Sequence, residues 1–122
     1  MIKVVVAGSR LFNNQDLFDN SLHDILLKYD TRELEIISGG CTGADALAEE
    51  YAESWGIKFR EFPAYWNAYG KAAGPMRNEE MAKYASQSEK GILIAFPIGE
   101  SKGTRNMIRA AKRYGLEIHV IE

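Results

Sequence analysis

The hydrophobic positions of this chain fall into short continuous runs and longer stretches with a helical period. In the longer stretches, apolar residues recur every three or four positions, as they do on the buried side of an amphipathic helix. Alternating strands and helices are typical of a parallel sheet that is covered by helices on both faces. We predict strands at residues 2–7, 34–38, 57–62, 91–96 and 116–121, and helices at residues 15–29, 44–55, 77–86 and 104–114.

The apolar content of each run predicts where its strand lies in the sheet. The first and fourth runs are continuously apolar at residues 4–6 and 92–94, as expected of central parallel strands. The third and fifth runs alternate apolar and polar residues, as edge strands do. We therefore predict a three-layer α/β sandwich with a five-stranded parallel sheet in the order 3-2-1-4-5, rather than 2-1-3-4-5. Ligands of such sheets bind outside the carboxyl ends of the strands where the chain reverses direction, here between strands one and four.

Three segments that leave the carboxyl ends of predicted strands are rich in glycine, hydroxyl and basic residues. Glycine lets the backbone approach an anion closely, and each segment opens a helix whose free N–H groups and positive dipole end attract phosphate. One such segment alone is also typical of an ordinary helix cap, and neither a P-loop nor a G-x-G-x-x-G motif is present. Together, however, the three segments predict ligand contacts by Gly8, Ser9, Arg10, Ser38, Gly39, Gly40, Gly43, Asp45, Gly99, Gly103 and Thr104.

Residues 63–76 form the longest connection between predicted elements, and we predict it to be irregular. Long irregular connections in small domains are often functional. A base could stack on an aromatic ring here, although such rings also fasten loops to a domain. Arg77 follows at the predicted start of a helix, where a cation opposes the helix dipole and an anionic ligand would explain it better. The side chains of interest in the connection are Tyr65, Trp66, Tyr69 and Lys71.

At these positions the sequence resembles the SLOG superfamily, and within it the YspA-like family. The resemblance implies a Rossmann-like fold that binds nucleotides or nucleotide-derived ligands, and it adds Asn78 to the expected ligand contacts. Relatives in the superfamily include the Lonely Guy-type phosphoribohydrolases and the DNA-processing protein DprA. The matching motifs are Gly8-Ser9-Arg10, Ser38-Gly39-Gly40-x-x-Gly43-Ala44-Asp45, Ala73-Gly74-Pro75-x-Arg77-Asn78, and the segment from Gly99 to Gly103-Thr104.

The resemblance also implies an enzymatic alternative, because Lonely Guy-type enzymes cleave the bond between a base and ribose 5′-monophosphate. Arg77 is similar in place to their arginine, but Met107 stands where they have a glutamate and Ile98 replaces the first glycine of their motif. A methionine cannot transfer a proton. As an enzyme the chain would therefore depend on Arg77 together with another carboxylate: Glu100, Asp45 or Glu79.

We therefore expect a module that senses, sequesters or delivers a nucleotide-like small molecule, and we lean against catalysis. N-glycosidic hydrolysis is the first alternative, and single-stranded DNA binding in the manner of DprA is the second. A basic stripe on the last helix favours DNA, but such stripes are usually solvated surface, so we expect no nucleic-acid partner. Pairing into a homodimer is expected from the relatives. The stripe consists of Arg105, Arg109, Lys112 and Arg113.

Composition narrows the class of protein without changing this interpretation. A chain of 122 residues with 46% hydrophobic and 26% charged residues predicts one globular domain over residues 1–122. The formal net charge of −2 excludes a generally basic nucleic-acid binder. One cysteine excludes a disulfide framework and fits a reducing compartment. With neither a leader sequence nor an apolar run of about 20 residues, we expect a cytoplasmic protein without a membrane partner.

The remaining reactive side chains predict neither a metal site nor a cofactor. Cys41 precedes a predicted helix, where a thiol pKa can be lowered, but we expect it to be a small buried side chain. His23 falls on the polar face of the first helix and His119 on an edge strand, and neither has partners at the spacing of metal ligands.

Overall fold

A five-stranded parallel sheet forms the middle layer of the protein. The computed structural model describes residues 1–122. Two single 3₁₀ turns, Thr31–Glu33 and Gly70–Ala72, accompany the strands and helices. The strands are β1 (Ile2–Gly8), β2 (Leu34–Ser38), β3 (Lys58–Glu61), β4 (Lys90–Phe96) and β5 (Glu117–Val120), and the helices are α1 (Gln15–Leu26), α2 (Ala44–Trp55), α3 (Trp66–Tyr69), α4 (Ala73–Ser86) and α5 (Lys102–Arg113).

The strand order β3-β2-β1-β4-β5 confirms the prediction. All four neighbouring pairs are parallel, and Val4 of β1 lies between Ile36 of β2 and Ile92 of β4. The continuously apolar strands are central because both of their faces are covered, whereas most side chains of β3 are exposed. The chain reverses direction between β1 and β4, so the carboxyl ends of these two strands flank the predicted ligand crevice.

Helices cover the two faces of the sheet with separate hydrophobic clusters. Val4 and Val6 pack among Phe18 and other side chains of α1 and α2. Val5, which points to the opposite face, packs with Met81 of α4 and Met107 of α5. No helix combines the length and the apolar character that crossing a membrane requires.

Most of the connection between β3 and α4 is helical, and only residues 62–65 are irregular, so the prediction of an irregular connection was largely wrong. Residues 66–72 form α3 and a 3₁₀ turn, and α4 begins at Ala73 rather than at Arg77. Pro75 is the third residue of α4, in the first turn, where a missing N–H removes no helical hydrogen bond. Arg77 therefore lies in the second turn, and the expected conflict with the helix dipole at a helix start does not arise. The first helix also ends earlier than predicted, at Leu26 rather than at residue 29.

Candidate functional site

A cleft of about 520 Å³ lies at the carboxyl ends of β1 and β4, where the strand order predicts a ligand. Its wall combines the residues after β1, the start of α2, the segment from α3 into α4, and the start of α5. This volume falls within the range of small-molecule sites. Ten of the predicted contact residues lie in the wall: Gly8, Ser9, Arg10, Asp45, Trp66, Lys71, Arg77, Asn78, Gly103 and Thr104.

The guanidinium group of Arg77 is held in place by two neutral acceptors. Nη1 donates to the carbonyl oxygen of Gly39 at 3.0 Å, and Nε donates to Oδ1 of Asn78 at 3.1 Å. The other guanidinium nitrogen, Nη2, has no hydrogen-bond partner within the protein. Because two of its nitrogens are fixed, the group loses little rotamer freedom when the remaining donors bind an anion.

Asn78 connects α4 to the first turns of α5. Its side chain is buried, with 5% exposed, and accepts from Arg77 while its Nδ2 donates to Asn106 Oδ1 at 2.9 Å and to the Gly103 carbonyl oxygen at 3.3 Å. A buried amide with its oxygen and nitrogen both paired fixes the elements that it joins. Arg77 and the start of α5 are thereby held on adjacent sides of the cleft.

Asp45 is the one carboxylate in the wall of the cleft. It lies in the first turn of α2, is 8% exposed, and accepts a hydrogen bond from the Cys41 backbone N–H at 3.1 Å. Burial raises the pKa of Asp45, while the hydrogen bonds from Cys41 and the nearby charge of Arg77 oppose that rise. The Asp45 carboxyl group therefore anchors the Cys41 backbone and also keeps its proton to a higher pH than an exposed aspartate does.

The start of α5 carries a positive charge and no capping side chain. Lys102 is exposed and belongs to the wall, and the first turn contains no acidic residue. Ser101 occupies the N-cap position without capping the helix, because its Oγ pairs with Oγ1 of the buried Thr104 at 2.6 Å. The positive end of the helix dipole is thus compensated by no side chain of α5.

The glycines after β2 lie beside the cleft and not in its wall. The Arg77 guanidinium group occupies the space that a side chain on Gly39 would need. The Glu61 carboxylate occupies the corresponding space at Gly40. Ser38 is fully buried, with Oγ accepting from the Gly40 N–H at 3.3 Å, and Gly43 is pressed against backbone carbonyl oxygens of the loop after β1. We expected these four residues to contact the ligand, but the structure does not bring them into the cleft. The same applies to Gly99 and to the proposed catalytic Glu100, which lie on an exposed turn before α5.

Trp66 is the aromatic side chain that the structure places in the wall. It is 47% exposed, and its Cζ3 and Cη2 atoms lie over Gly74, where an added Cβ would come within 3.1 Å of Cη2. Gly74 thus leaves room for the indole on α4. Tyr65 and Tyr69 are exposed but lie outside the wall, so only one of the three aromatic side chains selected from the sequence lies at the site.

Several wall residues were missed, and some of them left a signal in the sequence. Lys102 and Ser101 belong to a segment that was already selected for its glycines, and Asn106 lies one helical turn after Gly103. Cys41, which we predicted to be buried, is half-buried in the wall, and its backbone N–H donates to Asp45. Met107 is almost completely buried but lines the cleft, at the position where the resemblance places a glutamate.

The comparison with family models decides the family. The model of the "YspA, cpYpsA-related SLOG family" matches residues 2–69, more than half of the chain. The chain belongs to this family. The Gene 61 protein of Mycobacterium phage D29 is 32% identical over 125 aligned residues, which cover 97% of this chain and 94% of that protein. This second match extends the similarity past residue 69, through Arg77 and the start of α5.

Solved structures confirm the Rossmann-like fold of this SLOG family member. DprA from Streptococcus pneumoniae superposes with a TM-score of 0.73 at 21% identity, over 98% of this chain and 50% of the DprA chain. The protein TM1055 superposes with a TM-score of 0.65 at 17% identity, over 97% of this chain and 72% of that chain. This chain therefore spans about half the length of DprA. The family supports a nucleotide-related role in binding or processing.

The basic stripe of α5 extends away from the cleft of this SLOG domain. Arg105, Arg109 and Lys112 are exposed and form no salt bridge, whereas Arg113 pairs with Glu79. None of the four belongs to the wall of the cleft. Single-stranded DNA binding along this stripe stays the second alternative, and the absence of a nucleic-acid partner stays the prediction.

Proposed function

We propose that the protein binds a nucleotide or nucleotide-derived ligand in the cleft between β1 and β4. The proposal depends on three features that share one wall. They are the Arg77 guanidinium group, fixed by hydrogen bonds, the start of α5, whose helix dipole no side chain compensates, and the exposed indole of Trp66. The first two suit a phosphate group, and the third suits the face of a base. No catalytic step is needed for this role.

The natural fluorescence of Trp66 offers a direct test. The chain has two tryptophans, and Trp55 is the last residue of α2, about 15 Å along that helix from Asp45 in the cleft. In the Trp55→Phe variant, Trp66 is the sole indole reporter, and we expect a saturable change in its emission on titration with nucleotides. A ligand at a hundredfold excess over its Kd should also add about 2.7 kcal/mol of stability, or roughly 10 °C in Tm.

Arg77→Ala provides the matching loss of function. Removal of a charged hydrogen-bond donor should weaken binding by about tenfold or more. Because Arg77 also contacts Gly39, the Tm of the unliganded variant has to be measured beside its affinity. Arg105→Ala, which removes an exposed arginine of α5 that lies outside the wall, is the control. Equal binding by wild type and Arg77→Ala would contradict the proposal.

N-glycosidic hydrolysis is a second candidate. The buried Asp45 carboxyl group near Arg77 favours it, whereas the location of Glu100 outside the wall disfavours it. In such a reaction, water adds its oxygen to the sugar carbon, and a proton goes to the departing base nitrogen. A carboxyl group with a raised pKa is suited to that proton transfer. Chromatography of nucleoside monophosphates incubated with the protein should then reveal free base, and Asp45→Asn should abolish its release. Stoichiometric binding without free base would exclude this candidate.

A further inference from the structure

The charge of the cleft is larger than one phosphate group requires. Four cationic side chains reach its wall from four separate elements or connections, although the chain as a whole has a net charge of −2. None of the four forms a salt bridge with an acidic residue. The four are Arg10 after β1, Lys71 before α4, Arg77 in α4 and Lys102 at the start of α5.

The acidic content of the wall does not offset these cations. Asp45 is its one carboxylate, and it is buried against the Cys41 N–H. The unliganded cleft therefore holds a surplus of about three positive charges when Asp45 is ionised. Unpaired like charges around a concave surface repel one another and focus a positive potential there, which a bound polyanion would relieve.

We propose that the ligand carries at least two linked phosphate groups, as nucleoside diphosphates and dinucleotides joined by pyrophosphate do. This inference rests on the proposed function and narrows its ligand class. One phosphate monoester brings about −1.5 to −2 charges at neutral pH, too few to balance the surplus of about three positive charges, whereas a diphosphate chain brings about −3.

The positions of the cations suggest how the phosphate chain lies. Arg77 is fixed by Gly39 and Asn78, so it is suited to one phosphate, and Asn78 places the start of α5 next to it. Lys102 at that helix start is the cation available to the second phosphate. Lys71 lies on the α3–α4 side with Trp66, which leaves that side for the nucleoside.

The test compares mono- and diphosphates of adenosine, guanosine, cytidine and uridine, with inorganic phosphate and pyrophosphate as competitors. Binding is measured by Trp66 fluorescence in the Trp55→Phe background and by calorimetry on the wild type. For the preferred base, we expect the diphosphate to bind about tenfold more tightly than the monophosphate. Pyrophosphate should displace it at lower concentration than phosphate does.

Two variants assign the second phosphate to the start of α5. Lys102→Ala should weaken diphosphate binding more than monophosphate binding, so that the preference for diphosphate falls by about three- to fivefold. Arg105→Ala removes a neighbouring cation outside the wall and should leave the preference intact. The inference is overturned if mono- and diphosphates bind equally, or if both variants reduce the preference alike. If mono- and diphosphates bind equally, the proposed nucleotide site still stands. If pyrophosphate binds and no nucleotide does, the proposed nucleotide site is contradicted, but the inference of two linked phosphates is not.

Discussion

The segments after β2 and β4 are both rich in glycine, yet their glycines have opposite surroundings. Gly39 and Gly40 lie against the side chains of Arg77 and Glu61, and Gly43 lies against backbone of the loop after β1. Around Gly99 and Gly103, an added Cβ would meet nothing within 4 Å. The first segment therefore uses glycine for internal packing, while Gly103 leaves open space in the wall of the cleft. Glycine content alone does not distinguish these two uses.

The largest effect is expected at Gly43, where the packing role is strongest. Its backbone has φ +73° and ψ −130°, and a Cβ would collide with the carbonyl oxygens of Ser9 and Arg10. Strain of this kind costs about 1–3 kcal/mol before the collision is counted, so Gly43→Ala should lower Tm by about 10 °C or more. Thermal unfolding followed by circular dichroism measures this loss.

Gly56→Ala is the control for that loss, because Gly56 also has a positive φ, +66°, but an added Cβ there meets nothing within 4 Å. It should cost about 1–2 kcal/mol from the left-handed backbone alone. A Gly43→Ala variant no less stable than Gly56→Ala would mean that the two loops do not press against each other.

Gly39→Ala should affect binding more than stability. The added methyl would occupy the position of the Arg77 guanidinium, which is the far end of a flexible side chain and can move aside. Arg77 would then lose its hydrogen bond to the Gly39 carbonyl oxygen and its fixed position. We expect nucleotide affinity to fall by about tenfold, as in Arg77→Ala, while the free energy of unfolding changes by about 1 kcal/mol or less. A fall in Tm with unchanged affinity would refute the link between these two residues.

The same contacts explain what the sequence could and could not reveal. The strand order followed from local patterns, because the central strands are the continuously apolar ones. The residues after β1 and at the start of α5 were found because they follow central strands. Gly39 was misjudged because its neighbour Arg77 is 38 residues away in sequence, so only the fold shows that a side chain covers this glycine. The start of α4 was missed because Ala73-Gly74-Pro75 is typical of a turn, whereas in the fold these residues form the first turn of α4 and the indole of Trp66 lies over Gly74.

Asp45→Asn gives a smaller effect that depends on pH. Burial raises the pKa of Asp45 above the usual 3.8, so the folded protein binds this proton more tightly than the unfolded chain does. Its contribution to stability is therefore fully present below pH 3.8 and is lost as the pH rises through the folded-state pKa. Asparagine does not titrate, so the variant should become more stable relative to wild type between acidic and neutral pH. Urea unfolding across that range measures the difference, and a difference independent of pH would contradict the raised pKa.

The smallest effect is expected at Gly103, the glycine of the cleft wall that has open space around it. Gly103 is the second residue of α5, and an added Cβ has free space around it, so alanine gains helix propensity without a collision. Gly103→Ala should therefore raise stability by about 0.5–1 kcal/mol, or about 2–4 °C in Tm. The new methyl would also stand in the wall of the cleft, where it would keep a phosphate from the backbone N–H groups, and affinity should fall by a few fold. Stability and affinity thus move in opposite directions here, whereas at Gly43 stability alone should fall steeply. A loss of stability in Gly103→Ala would mean that this glycine, too, serves packing.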